Sequence, residues 1–298
     1  MFIDNSLPHD VVETEAVRLL ESTGRYRVLR PVPSLPPMPD DLAGAREGVF
    51  LDVETTGLDP ERHKVIELAM IRFAFNDAGE ILGALAPFAA FNDPGEPIPA
   101  NITRLTGIDD AMVKGRVIDL EAIDDYLDGV ELIIAHNAAF DRLFAERVSF
   151  DFFRAWGCSI ADVDWSAEGF EGTKLSYLLI QRGWFHHAHR AEADCAAALA
   201  LLNAPLPVSG RTPLAEIVER SRLETMRIRA VGAPFEVKNL LKERGYRWDA
   251  GAANRERCWY RDLLPDEADT EIGYLRDCLG VNPSVTRISA LYRFRSPG

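Results

Sequence analysis

Two carboxylates open the chemistry of this chain. In VFLDVETTGL (Val49 to Leu58), Asp52 and Glu54 stand two residues apart in a run whose odd positions, Val49, Leu51 and Val53, are apolar. That period of two is a β-strand's, so the odd residues face a core and both acids point the other way. Like charges this close in a dry setting repel. A hard divalent cation between them removes the cost, and Mg²⁺ is often held by only one or two carboxylates. Three further residues have similar potential. Asp141, in LIIAHNAAFDRLF, falls in the first turn of a helix after a buried strand. Taken alone, it is also explained as a partner for the helix dipole. Asp194 starts a helix otherwise built of alanine and leucine. His189 precedes it by five residues, about 140° around a helix, so the two converge only if His189 lies on the loop before that helix. A loop histidine is free to move and suits a proton carrier.

Several elements must position these groups. The opening strand is followed by VIELAMIRFAF (Val65 to Phe75) and ILGALAPFAAF (Ile81 to Phe91), joined by turn residues Asn76, Asp77 and Gly79. Three strands with short links predict an antiparallel meander. Pro97 to Val113 reads as irregular with a short helix, and Leu120 to Leu127 as a helix. From Glu131 onward strand-then-helix alternation takes over, with helices at Phe140 to Arg147, Lys174 to Gln181 and Arg190 to Leu202. A meander followed by βα units predicts an α/β domain, a mixed sheet with helices on both faces, over residues 47–205. Residues 1–46 hold a helix over Asp10 to Thr23, a short strand through Tyr26 and Val28 toward Arg30, and a proline-rich strap from Pro31 to Pro39. Residues 206–298 follow a Pro/Gly linker and read as a small α+β domain.

Composition agrees with that division. The chain has 298 residues and a formal net charge of −14. Residues 206–298 hold 16 Lys and Arg against 13 Asp and Glu, or +3, so residues 1–205 carry the other 17 basic and 34 acidic residues, or −17. An acidic balance argues against a broad basic surface for duplex nucleic acid and leaves an acidic metal site acting on a strand end open. The four cysteines lack metal-ligand spacing and read as reduced thiols. There is no membrane-length apolar run and no signal-peptide plan, so the reading is a cytoplasmic protein.

DVETTGL (Asp52 to Leu58), HNAAFD (His136 to Asp141) and HRAEAD (His189 to Asp194), in that order and spacing, resemble the motifs of the DEDDh 3′→5′ exonucleases, the superfamily of the DNA polymerase III epsilon subunit and RNase T. VIELAMI and RLTGID are weaker echoes. The resemblance covers about Gly48 to Leu202. It implies a ribonuclease H-like five-stranded sheet with the acids gathered at its middle. It implies two Mg²⁺ (or Mn²⁺) ions held by Asp52, Glu54, Asp141 and Asp194, with His189 as general base. It also implies that Thr55, Thr56, Gly57 and Leu58 line the pocket for the terminal nucleotide. Gly57 would admit a close approach and Leu58 would wedge against the base; Asn137 and Phe140 would join them. Core packing is the other reading of Leu58 and Phe140. His136 reads as a turn residue, and His186 and His187 as solvated.

The partner implied is a single-stranded or frayed 3′ end, DNA rather than RNA. The extra C-terminal domain tilts the reading toward DNA maintenance, with a polymerase or repair partner. An exoribonuclease is the alternative substrate reading. A non-catalytic binding module is the alternative class; it predicts a missing ligand, and none of the motif positions is missing. In the C-terminal part, Lys238, Lys242, Arg244, Arg247, Arg257 and Arg261 lie among Tyr246, Trp248, Trp259 and Tyr260. That pattern suits single-strand binding by base stacking, or an ordinary small core with solvated charges.

Overall fold

The computed structural model describes residues 9–186, 188, 190–251 and 256–295. Helix α1 (His9–Ser22) and the two-residue strand β1 (Arg30–Pro31) come first. The central region holds β2 (Arg46–Thr55), β3 (Val65–Phe75), β4 (Ile81–Ala84) and β5 (Phe88–Phe91). It continues through α2 (Ala100–Thr106), α3 (Asp110–Val113), α4 (Leu120–Leu127), β6 (Leu132–Ala135), α5 (Ala138–Val148) and β7 (Ala155–Cys158). It closes with α6 (Leu175–Gln181), β8 (Trp184–Phe185) and α7 (Ala191–Asn203).

The main sheet runs β4-β3-β2-β6-β7, with β5 also on β3. It is therefore five strands wide, because β4 and β5 share one edge position. β2, β3 and β4 are antiparallel, and β6 and β7 add in parallel, which makes the expected mixed sheet. The strand expected over Ile81 to Phe91 is split in two. Pro87 has no N–H to give to a ladder and breaks it.

β3 is buried almost throughout because helices cover both faces of the sheet. Val49, Leu51 and Val53 of β2 pack with Ile123 and Leu127 of α4 and Phe144 of α5. Phe50 points the other way, to Cys195, Ala198 and Leu199 of α7. Asp52 and Glu54 continue the Phe50 face, so the strand's period delivers both acids to the α7 side.

The N-terminal extension is a strap. Of its expected strand, only Arg30–Pro31 pairs, with β8. Further on, the Ala84 N–H donates to the Pro36 carbonyl and the Met38 N–H to the Ala84 carbonyl, both at 2.9 Å, which covers the exposed edge of β4. Gly83 makes this possible: a Cβ there would stand 2.2 Å from the Pro37 carbonyl oxygen.

Beyond residue 205 come α8 (Pro213–Ser221), β9 (Thr225–Val231), α9 (Lys238–Glu243), β10 (Arg247–Asp249), β11 (Cys258–Leu263), α10 (Pro265–Leu279) and β12 (Ser284–Ile288). The strands form an antiparallel sheet in the order β10-β11-β9-β12, with a core that includes Ile228, Leu241, Tyr246 and Leu275. Two elements depart from expectation. The first is α8, which packs Leu214, Ile217 and Val218 into the first sheet's core. Thr212 caps its start and donates its hydroxyl to the Gly79 carbonyl at 2.6 Å, turning the chain back onto the central sheet. The second is the last strand, which ends at Ile288 rather than Phe294. Residues 290–295 dock on α5 instead, with Phe294 buried beside Phe144 and Trp156. Among the described residues no helix is long and apolar enough to cross a membrane.

Candidate active site

The strand that carries the acids ends by design of its sequence. The Thr55 hydroxyl donates to the Gly57 carbonyl at 2.7 Å, and the Lys64 N–H donates to the Thr56 hydroxyl at 3.0 Å. The turn thus leaves Asp52 and Glu54 at the strand's end, facing the first turn of α7. Asp52, Glu54 and Asp194 each offer an oxygen, and these oxygens lie within 4.8 Å of one another. Asp141 arrives from α5, on the opposite helix layer. The parallel pairing of β2 with β6 stops at Phe50–Ile134, and the Val53 N–H beyond it donates to Asp141 Oδ1 at 3.3 Å.

Burial and mutual repulsion raise Asp52, Glu54 and Asp141 above the ordinary carboxylate range. Burial, then the charges of Asp141, Asp194 and Glu54, push Asp52 far above the usual carboxylate range. Burial, then Asp194 and other neighbouring acids, push Glu54 up to about 8. Burial alone pushes Asp141 up to about 7 against three backbone N–H donors that pull it down. A cluster of oxygen donors that repel one another this strongly fits a hard divalent cation, and Mg²⁺ or Mn²⁺ suits an all-carboxylate set.

The same shifts fix a pH dependence for the metal-free protein. Glu54 and Asp141 bind protons more tightly folded than unfolded, so their contribution is present at low pH and lost as pH rises through the folded values. The melting temperature in EDTA should therefore fall from about pH 5 to about pH 8, and the gain on adding Mn²⁺ should widen over the same range. Thermal melts across that range measure it; a flat metal-free profile would contradict the assignment.

The other expected site residues are distributed as follows. Leu58 is 82% exposed at the turn's tip, which removes core packing as its role. Thr55 and Thr56 are buried, with their hydroxyls spent on the turn. Gly57 does admit a close approach, but by His63: a Cβ would meet its ring at 2.5 Å. Phe140 is half-buried against Phe144, ring centroids 4.9 Å apart. Asn137 is exposed and lines a cleft of about 510 Å³ toward the C-terminal sheet, with Arg220, Arg247 and Arg293. His189 and His187 lie outside the described residues.

His186 corrects the expectation of a solvated side chain. Its side chain is 5% exposed and its Nε2 lies 2.7 Å from Asp194 Oδ1. Among three nearby histidines, the sequence does not mark which one reaches an acid eight residues on. His136 is a half-buried turn residue, with Nδ1 2.6 Å from the Ser159 hydroxyl, and burial pushes it down to about 4. Glu67 was not foreseen as part of the site. It stands opposite Glu54 on β3 and is 2% exposed. The signal was present: a lone glutamate in the apolar run VIELAMI must find a buried partner.

The C-terminal basic and aromatic residues divide. Tyr246 is core, and Arg244 and Arg261 both pair with buried Glu271. Trp248 is 52% exposed and packs edge-on against Trp259, with Lys242 over the Trp259 ring at 5.9 Å.

DNA polymerase III PolC-type of Halalkalibacterium halodurans is 40% identical over 100 residues, which is 33% of this chain and 7% of that protein. The Bacillus subtilis PolC-type polymerase is 39% identical over 98 residues, 32% of this chain and 6% of that one. The chain thus spans less than a tenth of the curated relatives it matches. Among solved structures, Exonuclease X in complex with 5′ overhanging duplex DNA is 26% identical with a TM-score of 0.44, covering 57% of this chain and 98% of its own. A structure of exonuclease I is 16% identical with a TM-score of 0.49, covering 83% of this chain and 66% of its own. The family model described as RNase_T exonuclease matches residues 49–202, a span that opens on the strand bearing Asp52 and Glu54 and closes on the helix bearing Asp194. With just over half of its length in that match, the chain belongs to the RNase T exonuclease family.

Proposed function

We propose that the protein is a metal-dependent 3′→5′ exonuclease that removes nucleoside 5′-monophosphates from single-stranded or frayed DNA. The observation that carries this reading is the meeting of Asp52, Glu54 and Asp194, three carboxylates from two distant parts of the chain, beside buried Asp141. These four residues would hold two Mg²⁺ or Mn²⁺ ions. Bound there, the ions supply acidity for an attacking water and positive charge to balance the leaving 3′ oxygen. His189 takes the water's proton; its ordinary pKa of about 6.5 suits that task near neutral pH. Exposed Leu58 wedges against the terminal base, with Thr55, Thr56 and Gly57 forming the turn that presents it. Phe140 and Asn137 extend the pocket wall. Trp248, with Lys242 and Trp259 behind it, offers a ring on which a single strand stacks.

DNA is favoured because the matched relatives are DNA polymerase chains. A polymerase or repair complex is the corresponding partner. The test uses matched DNA and RNA oligonucleotides labelled at the 5′ end, digested with Mg²⁺, Mn²⁺ or EDTA. The expected result is a descending ladder with metal, faster on DNA, and none with EDTA. Faster digestion of RNA would replace the substrate, and loss of label from the 5′ end would overturn the direction.

A further inference from the structure

Leu58 stands out in water while both residues beside it are held. On one side is Gly57. Its carbonyl receives the Thr55 hydroxyl at 2.7 Å, and its α-carbon lies so near the His63 ring that a Cβ would stand 2.5 Å from Cδ2 and Nε2. On the other side is Asp59, whose N–H donates to His63 Nδ1 at 3.0 Å. One half-buried histidine thus grips both neighbours of the exposed leucine.

Hydrogen-bond accounting fixes the role of that ring. Nδ1 also lies 3.1 Å from the Asp59 carbonyl. That carbonyl already receives the Arg62 N–H at 3.0 Å and the His63 N–H at 2.8 Å. The Asp59 N–H has no other acceptor among the described residues. Nδ1 is therefore the acceptor, with a proton on Nε2.

A short turn brings the ring back onto Gly57. Asp59 Oδ1 accepts the Glu61 N–H at 3.0 Å, an Asx turn, and Pro60 stiffens it. One step outward, the Thr56 N–H donates to the Lys64 carbonyl at 2.9 Å. Residues 56–64 are thus a closed loop whose one large apolar side chain, Leu58, faces out. A side chain presented by a braced loop loses less freedom on contact than one on a loose loop.

We propose that His63 is a positioning residue, which braces this turn so that Leu58 is set to insert against the last base of a paired 3′ end. His63 thereby determines how readily the enzyme opens a paired end, and has little part in the handling of an end already single-stranded. This rests on the reading of Leu58 as the wedge on the terminal base. His63 itself touches neither cation nor substrate.

The test measures kcat/KM with Mn²⁺ on one 5′-labelled DNA in two forms, single-stranded and with its 3′ end fully paired. The quantity read is the ratio of the paired value to the single-stranded value. Leu58→Ala should lower that ratio about tenfold or more, as expected when a leucine loses an apolar contact. His63→Ala should lower it about 3- to 10-fold, the worth of one lost hydrogen bond. In the Leu58→Ala background, His63→Ala should change it by less than about 1.5-fold, because the brace then has nothing to present. His63→Asn, whose side-chain oxygen can accept the Asp59 N–H, should recover most of the ratio. A general loss of folded protein lowers both rates together and leaves the ratio unmoved. An unchanged ratio in His63→Ala would therefore overturn the proposal, as would a loss that persists undiminished without Leu58, or a His63→Asn no better than His63→Ala. Should His63→Ala not fold, His63→Phe keeps a ring against Gly57 and removes the acceptor; an unchanged ratio there would overturn it equally. A Leu58→Ala ratio equal to the parent's would defeat the wedge reading, and this proposal with it, before His63 is touched. A parent inactive on both forms would instead defeat the exonuclease reading.

Discussion

Replacing Asp52 by asparagine should lower turnover by at least about a thousandfold and yet stabilise the metal-free protein. The two effects share one cause. Asp52 is held far above its ordinary carboxylate range by burial and by three or more neighbouring acids. Asparagine keeps the shape and removes the charge, so the folded state no longer bears that repulsion. A melting temperature in EDTA higher by about 3 °C or more at pH 8 is expected, since a 1 kcal/mol gain moves a domain of this size by about 2–4 °C. Catalysis needs the same charge. Cation-borne stabilisation of a transition state is worth several kcal/mol, and about 1.4 kcal/mol is tenfold in rate. Initial rates at saturating Mn²⁺ and melts in EDTA measure both. Activity near that of the parent, or a lower metal-free melting temperature, would contradict the assignment.

Replacing Arg293 by alanine should destabilise the whole protein by about 3–5 kcal/mol, the usual cost of stranding one member of a buried ion pair. Arg293 pairs with Asp162, which is 1% exposed. Around it the tail forms a latch on helix α5, which carries Asp141. Arg142, fully buried, donates to the carbonyls of Arg293 at 2.7 Å and Leu291 at 2.6 Å, and to Glu146 at 2.7 Å. Arg295 closes on Glu146 at 2.8 Å. Phe294 sits in the left-handed region, φ 63°, a conformation a bulky residue adopts only when its contacts offset the strain. Because Arg142 follows Asp141, the latch also steadies a carboxylate of the site. Urea denaturation of Arg293→Ala measures the effect, and a change below about 1 kcal/mol would show that the tail is an ornament. The same logic predicts that residues 47–205 expressed alone fold poorly, since Arg142 loses the two tail carbonyls and Asp162 loses Arg293.

What the sequence made legible was local. The alternation around Asp52 and Glu54 located a strand, its core face and its acidic face, and the fold keeps all three. The alanine-rich helix carrying Asp194 was equally plain, because a helix that packs tightly on a sheet is built of small residues. What it hid depends on groups far apart in the chain. The break at Pro87 was missed, since the apolar run on both sides of it reads as one strand, Ile81 to Phe91; β3 in fact holds the two halves separately. The bond from His186 to Asp194 and the tie from Glu67 to Ala191 span eight and 124 positions, and neither leaves a period in the sequence. The tail's return to α5 reads, in one dimension, as a strand continuing from Val285 to Phe294. The alternation there is real; its partner is a helix 150 residues earlier rather than a neighbouring strand.

The central claim is that the gathered acids hold cations at a nuclease centre. Anomalous scattering from crystals soaked in Mn²⁺ with a nucleoside 5′-monophosphate addresses it most directly. Two manganese peaks among Asp52, Glu54, Asp141 and Asp194, with the nucleotide's phosphate beside them, are the expected result. An acid cluster without manganese, or manganese and phosphate bound elsewhere on the chain, would contradict it.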